Sequence, residues 1–138
     1  MTLKVQPVPV QLVNQLWEKV EPFIKSAEEK AGVTEYTAEQ IKVYLVLGEW
    51  MLLVATDEAN EIHGAATVSF INYPNDRVAF ITMIGGKLVS NPETFAQMSA
   101  IFKVNGATKI QGMARESIAR LWKRFGFVEK ATLVETKI

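Results

Sequence analysis

Chemistry in this chain would have to come from few places. One histidine, His63, is present and no cysteine, which excludes a thiol nucleophile, a disulfide and a zinc–thiolate site together. His63 opens an apolar run beside Gly64. As a general base it needs a cleft, and as a metal ligand it needs partners that no spacing supplies, so it reads as a surface-strand residue and no metal site is expected. Gly85-Gly86-Lys87 sets pliable amides next to an ammonium, the makings of an anion-binding turn, though a plain strand exit accounts for the glycines more simply. Arg115, Arg120, Lys123 and Arg124 gather near the C-terminus, the last three within reach of one another on a helix surface. They could hold a phosphate or an acidic partner. Solvated charges favourable at a helix C-terminus are the plainer reading for Lys123 and Arg124, whereas Arg115 lies ahead of the helix and is less easily explained so.

The elements that must position these residues follow from periodicity and punctuation. Thr2 to Val8 suits a short strand limited by Pro7 and Pro9. Leu12, Val13, Leu16, Trp17, Val20, Phe23, Ile24 and Ala27 make one helical stripe, which Pro22 should kink or break near Glu21, with Gly32 as a stop. Thr37 and Gln40 have the form of a capping box for a second helix reaching Leu47 and ended by Gly48. Trp50 to Thr56, Ile62 to Tyr73 and Arg77 to Ile84 read as three strands of an antiparallel meander, after which Gly85-Gly86 breaks the pattern. Asn91-Pro92-Glu93 starts a helix with Phe95, Met98, Ile101 and Phe102 inward, stopped by Asn105-Gly106. Lys109 to Ala114 is a strand. Ile118, Leu121, Trp122 and Phe125 mark a last helix, Gly126 its left-handed cap, and Phe127 to Ile138 a proline-free terminal strand. Trp17, Trp50 and Trp122 suit the core or an interface.

The balance of the chain excludes several function classes. Fifteen basic and fifteen acidic residues cancel, leaving no global field to draw the protein onto nucleic acid or an anionic membrane. No apolar run approaches the roughly 18 residues that span a bilayer, and the N-terminus lacks the apolar core of a secretory signal. A content of 49% hydrophobic residues over 138 residues fits a single α+β domain, residues 1–138, in the cytoplasm or in a particle.

The element order, with RLWKRFGFVEK near its end, resembles the GNAT superfamily of N-acetyltransferases, whose last helix often reads like NxxAxxLYxKxGF before a final strand. The pattern G-x-x-x-I-x-G-x-x-R followed by L-x-x-x-G-F is similar to that of short divergent GNAT-like proteins of bacteriophages. Its counterparts here are Gly106, Ile110, Gly112, Arg115, Leu121 or Trp122, Gly126 and Phe127. The resemblance implies a mixed, mostly antiparallel twisted sheet flanked by helices, with acetyl-CoA between splayed fourth and fifth strands, Arg77 to Ile84 and Lys109 to Ala114.

Two departures weigh against the family's usual chemistry. The pyrophosphate loop, Q/R-x-x-G-x-G/A, has no match, and Pro92 and Glu93 stand where amides would face the anion. A carboxylate there costs on the order of 1 kcal/mol or more. The tyrosine that often protonates the leaving thiolate falls at Trp122 and the family's asparagine at Arg115. An indole is no general acid near neutral pH. The resemblance thus implies a phage-type GNAT-fold protein acting as a virion-associated or accessory binding protein, with protein partners or self-association and no cofactor. Its alternative is an acetyl-CoA-dependent N-acetyltransferase with the cofactor at Ile84, Gly85, Gly86 and Lys87, within an irregular loop running to Asn91, and Arg115 or Glu116 orienting an amine.

Overall fold

The computed structural model describes residues 1–31 and 35–138; Gly32, the expected stop of the first helix, lies outside the described residues. Strand β1 (Lys4–Pro7) leads through a 3₁₀ turn at Val10–Leu12 into helix α1 (Val13–Lys30), followed by α2 (Ala38–Val46). Strands β2 (Met51–Thr56), β3 (Ile62–Asn72) and β4 (Arg77–Gly86) come next, then α3 (Pro92–Val104), β5 (Lys109–Gly112) and α4 (Glu116–Trp122), extended by a 3₁₀ turn at Lys123–Phe125. The five strands lie in sequence order, antiparallel throughout except that β4 and β5 run parallel across the α3 connection. This is the α+β, GNAT-like arrangement expected.

Alternation along the strands splits the core into two layers. Leu53, Ala66, Val68, Ala79 and Ile81 face α3 and α4 with Met98, Phe102 and Trp122. Leu52, Val54, Ala65 and Met83 face α1 and α2 with Trp17, Val20, Ile24, Ile41 and Leu45. Val20 and Ile24 are completely buried, and each such side chain contributes about 1.5–3 kcal/mol relative to exposure. The caps are as the sequence predicts: Thr37 and Gln40 form a reciprocal box on α2, and Asn91 caps α3 ahead of Pro92.

Three expectations are corrected. Pro22 neither breaks nor divides α1, which runs through it; the proline sits on the exposed face, where water can take the carbonyl its missing N–H leaves unpaired. β4 does not stop at Ile84 but takes in Gly85 and Gly86, which pair with Ala65 and Gly64, and ends there. Residues Phe127 to Ile138 form no strand ladder and are exposed from Val128 onward. A β pattern supplies side chains but no partner edge, and an isolated extended segment has no ladder to hold it.

Candidate functional site

The parallel pair opens partway along. β4 pairs with β5 only from Val78 to Ile81, matched to Lys109 through Gly112, yet continues against β3 to Gly86. The register of β3 and β4 shifts between Thr67 and Val68, opposite Met83 and Ile81, so Thr82 is the extra residue of a bulge. Its hydroxyl lies 2.7 Å from that of Thr67 and donates to the Thr67 carbonyl at 2.9 Å. A bulge bends its strand and sharpens the local twist. This one follows the last β4–β5 pair, so a wedge opens between the two strands from Thr82 onward.

The loop at the wedge mouth and the first turn of α3 differ in what they offer an anion. Asn91 Oδ1 accepts from the Glu93 and Thr94 amides at 2.9 and 3.2 Å, the Phe95 amide donates to the Asn91 carbonyl, and Pro92 has no N–H. The helix end is therefore already satisfied, with the Glu93 carboxylate beside it. One step earlier, the Ser90 and Asn91 amides have no acceptor among the described residues, and the Lys87 side chain is exposed without an ion-pair partner among them. Consecutive free amides next to an ammonium suit a phosphate.

The structure places the predicted cofactor residues unevenly around this loop. Ile84 pairs with Ala66 and packs on the core. A Cβ on Gly85 would come within 2.6 Å of the Phe23 carbonyl, and one on Gly86 within 2.4 Å of the His63 carbonyl, so both glycines serve the approach of α1 and β3. Gly86 also has φ +68°, and the Lys87 amide donates to the His63 carbonyl at 2.9 Å. Of the predicted four, only Lys87 faces solvent with a free charged group. His63 closes the β2–β3 turn, its Nε2 lying 2.8 Å from Asp57 Oδ2. That contact, first among the causes, holds the Asp57 carboxyl below its ordinary value.

On the far side of β5 lies a cleft of about 1010 Å³, walled by Lys109 through Glu116, by α4, by Phe80 and Phe95, and by the terminal residues to Leu133. Arg115 and Glu116, consecutive in the chain and singled out as possible orienters of an amine, both line it. Arg115 has no ion-pair partner among the described residues, while Glu116 faces Arg120 at 4.0 Å. Trp122 is 6% exposed, lies against Gly112 where β5 ends, and donates its indole N–H to the Val89 carbonyl at 3.1 Å. The indole thus reaches from the end of β5 to the loop after β4. The sequence marks Trp122 as a core or interface residue at the place of the family's tyrosine, and nothing local reveals that its N–H is used across 33 residues.

No family model matches the chain, and no curated protein matches it in sequence. Solved structures do match. A predicted acetyltransferase from Clostridium acetobutylicum, solved with acetyl-CoA, is 15% identical with a TM-score of 0.64, covering 99% of this chain and 96% of that one. An aminoglycoside acetyltransferase from an uncultured soil metagenomic sample is 16% identical with a TM-score of 0.69, covering 100% and 99%. A Trypanosoma brucei acetyltransferase is 10% identical with a TM-score of 0.61, covering 99% and 100%. The fold is that of the GNAT-type acetyltransferases. No helix among the described residues is long and apolar enough to cross a membrane.

Proposed function

We propose that the protein is an acetyl-CoA-dependent N-acetyltransferase that holds its cofactor through the irregular loop from Lys87 to Asn91. The observation that carries this reading is the wedge beyond Ile81 and Gly112, with unpaired amides at its mouth. Lys87 and the Ser90 and Asn91 amides would hold the diphosphate, in place of the α3 first turn. When bound, the cofactor supplies an activated acyl carbonyl. Arg115 and Glu116 would orient the acceptor amine at the cleft. Trp122 donates no proton, because its N–H is engaged by Val89 and an indole is not acidic near neutral pH. The acceptor therefore has to arrive as the free amine and lose its proton to solvent.

Calorimetric titration with acetyl-CoA tests this directly. Micromolar binding, weakened about tenfold by Lys87→Glu, is the expected result, followed by turnover against a panel of amines. No heat at millimolar ligand ends it.

A second reading is favoured by the satisfied first turn of α3 and by the tethered indole. In it the scaffold persists without cofactor chemistry, as an accessory or virion-associated binding protein of the phage type that its sequence pattern resembles. Silence in both the titration and the turnover assay is what this reading expects.

A further inference from the structure

We infer that the cleft beside β5 takes a small amine bearing both a carboxylate and an apolar body, that is an apolar amino acid, with Arg115 gripping the carboxylate. Arg115 is the residue to explain. It stands at the N-cap of α4, yet its side chain makes no cap bond there. It has no ion-pair partner among the described residues. The start of a helix favours Ser, Thr, Asp or Asn and disfavours a cation. The guanidinium therefore does nothing for α4 and is left to serve the cleft that Arg115 lines.

The carboxylates of the cleft wall are already matched. Glu129 meets Lys123 at 3.6 Å and Glu116 meets Arg120 at 4.0 Å, while Lys109 meets Asp76 at 2.9 Å. Arg115 and Lys130, both cationic, remain without an ion-pair partner among the described residues. An unmatched positive wall suits an anion, and a guanidinium holds a carboxylate through two parallel hydrogen bonds. The other side of the argument is apolar. Phe95 and Phe125 stack with centroids 4.7 Å apart and Phe127 meets Phe95 at 5.7 Å; these half-buried rings line the cleft together with Met113, which is 52% exposed. Such a wall takes up an apolar body and leaves a few polar groups to orient it. Arg115 follows Gly112 by three residues, at most about 10 Å of chain. Guanidinium and wedge are thus within reach of one small molecule. The positive surroundings also favour an acceptor that arrives as the free amine, because a neighbouring like charge disfavours the ammonium. A polycation is repelled for the same reason. The role of acceptor rests on the acetyltransferase reading, whereas binding of the amino acid does not.

Calorimetry tests this with three probes: phenylalanine, phenethylamine, which lacks only the carboxylate, and spermidine, a polycation. Each is titrated into the protein alone and into the protein saturated with CoA. Phenylalanine should bind about tenfold tighter than phenethylamine, and spermidine should give no heat. Arg115→Ser supplies α4 with a better cap and so keeps the fold, yet it should bring phenylalanine down to the affinity of phenethylamine. Phenethylamine or spermidine binding as tightly as phenylalanine, a preference that survives Arg115→Ser, or silence from phenylalanine in both forms would each overturn the inference. If acetyl-CoA itself gives no heat, the acetyltransferase reading fails, and the ratio of phenylalanine to phenethylamine affinity still decides what the cleft takes.

Discussion

The sheet ends differently on its two sides. At β1, the outward Val5 amide donates to Gln97 Oε1 at 2.8 Å and Gln97 Nε2 donates to the Leu3 carbonyl at 2.9 Å, so one side chain from α3 stands in for a neighbouring strand. Pro7 and Pro9 then stop the edge from extending. At β5 no side chain among the described residues does the same, and the chain places a strand-forming segment nearby instead. A finished edge and an unfinished one thus bound the same sheet. The first edge is closed by α3 through Gln97, and the cleft walled by Arg115 and Glu116 opens beside the second.

Two left-handed glycines sharpen that contrast. Gly86, crowded by His63 of β3 and Phe23 of α1, has φ +68° and no room for a Cβ, whereas Gly126, after the last helix, has φ +93° and nothing within 4 Å of one. Gly86→Ala combines backbone strain with a clash against the His63 carbonyl and should cost about 3 kcal/mol or more in urea denaturation. Gln97→Leu leaves two β1 backbone groups unsatisfied and should cost about 2 kcal/mol by the same measurement. If it cost nothing, the β1 edge would be no better finished than β5. Gly126→Ala, bearing strain alone, should cost only about 1 kcal/mol; a loss matching that at Gly86 would erase the distinction between a crowded glycine and an open one.

The smallest expected effect is electrostatic. The hydrogen bond from His63, and then that from the Glu61 amide, hold the Asp57 carboxyl below its ordinary value. A depressed carboxyl stabilises the fold above its unfolded value and loses that contribution as pH falls through the folded value. Asp57→Asn should therefore lower the melting temperature near neutrality, and the gap should close in strong acid. A gap that widened in acid would contradict the assigned cause.

Much of the fold was legible because its signals are local. Thr37 with Gln40, Asn91 with Pro92, and Gly126 each act within one turn of chain, and each appears where the sequence predicts. What escaped depends on neighbours distant in sequence. Pro22 is tolerated because of the face it occupies, and Gly85-Gly86 stay in β4 because Phe23 and His63 press against them. Gln97 gives no hint of its partners 92 and 94 residues away. The terminal segment has strand composition without an edge to confirm it. At the site, Arg115 and Glu116 were singled out and do share a cleft, but the free amides of Ser90 and Asn91 are a property of loop geometry that residue types do not encode.

Trp122 touches both unfinished features at once, bonding to the Val89 carbonyl in the loop and packing on Phe127 where the terminal segment begins. It links the loop after β4 mechanically to the start of the terminal segment. Free-energy coupling through such a link is reciprocal. Whatever factor an anion at the loop imposes on the seating of the terminal segment, that seating must impose on the anion, and Trp122→Phe is the substitution that would uncouple them.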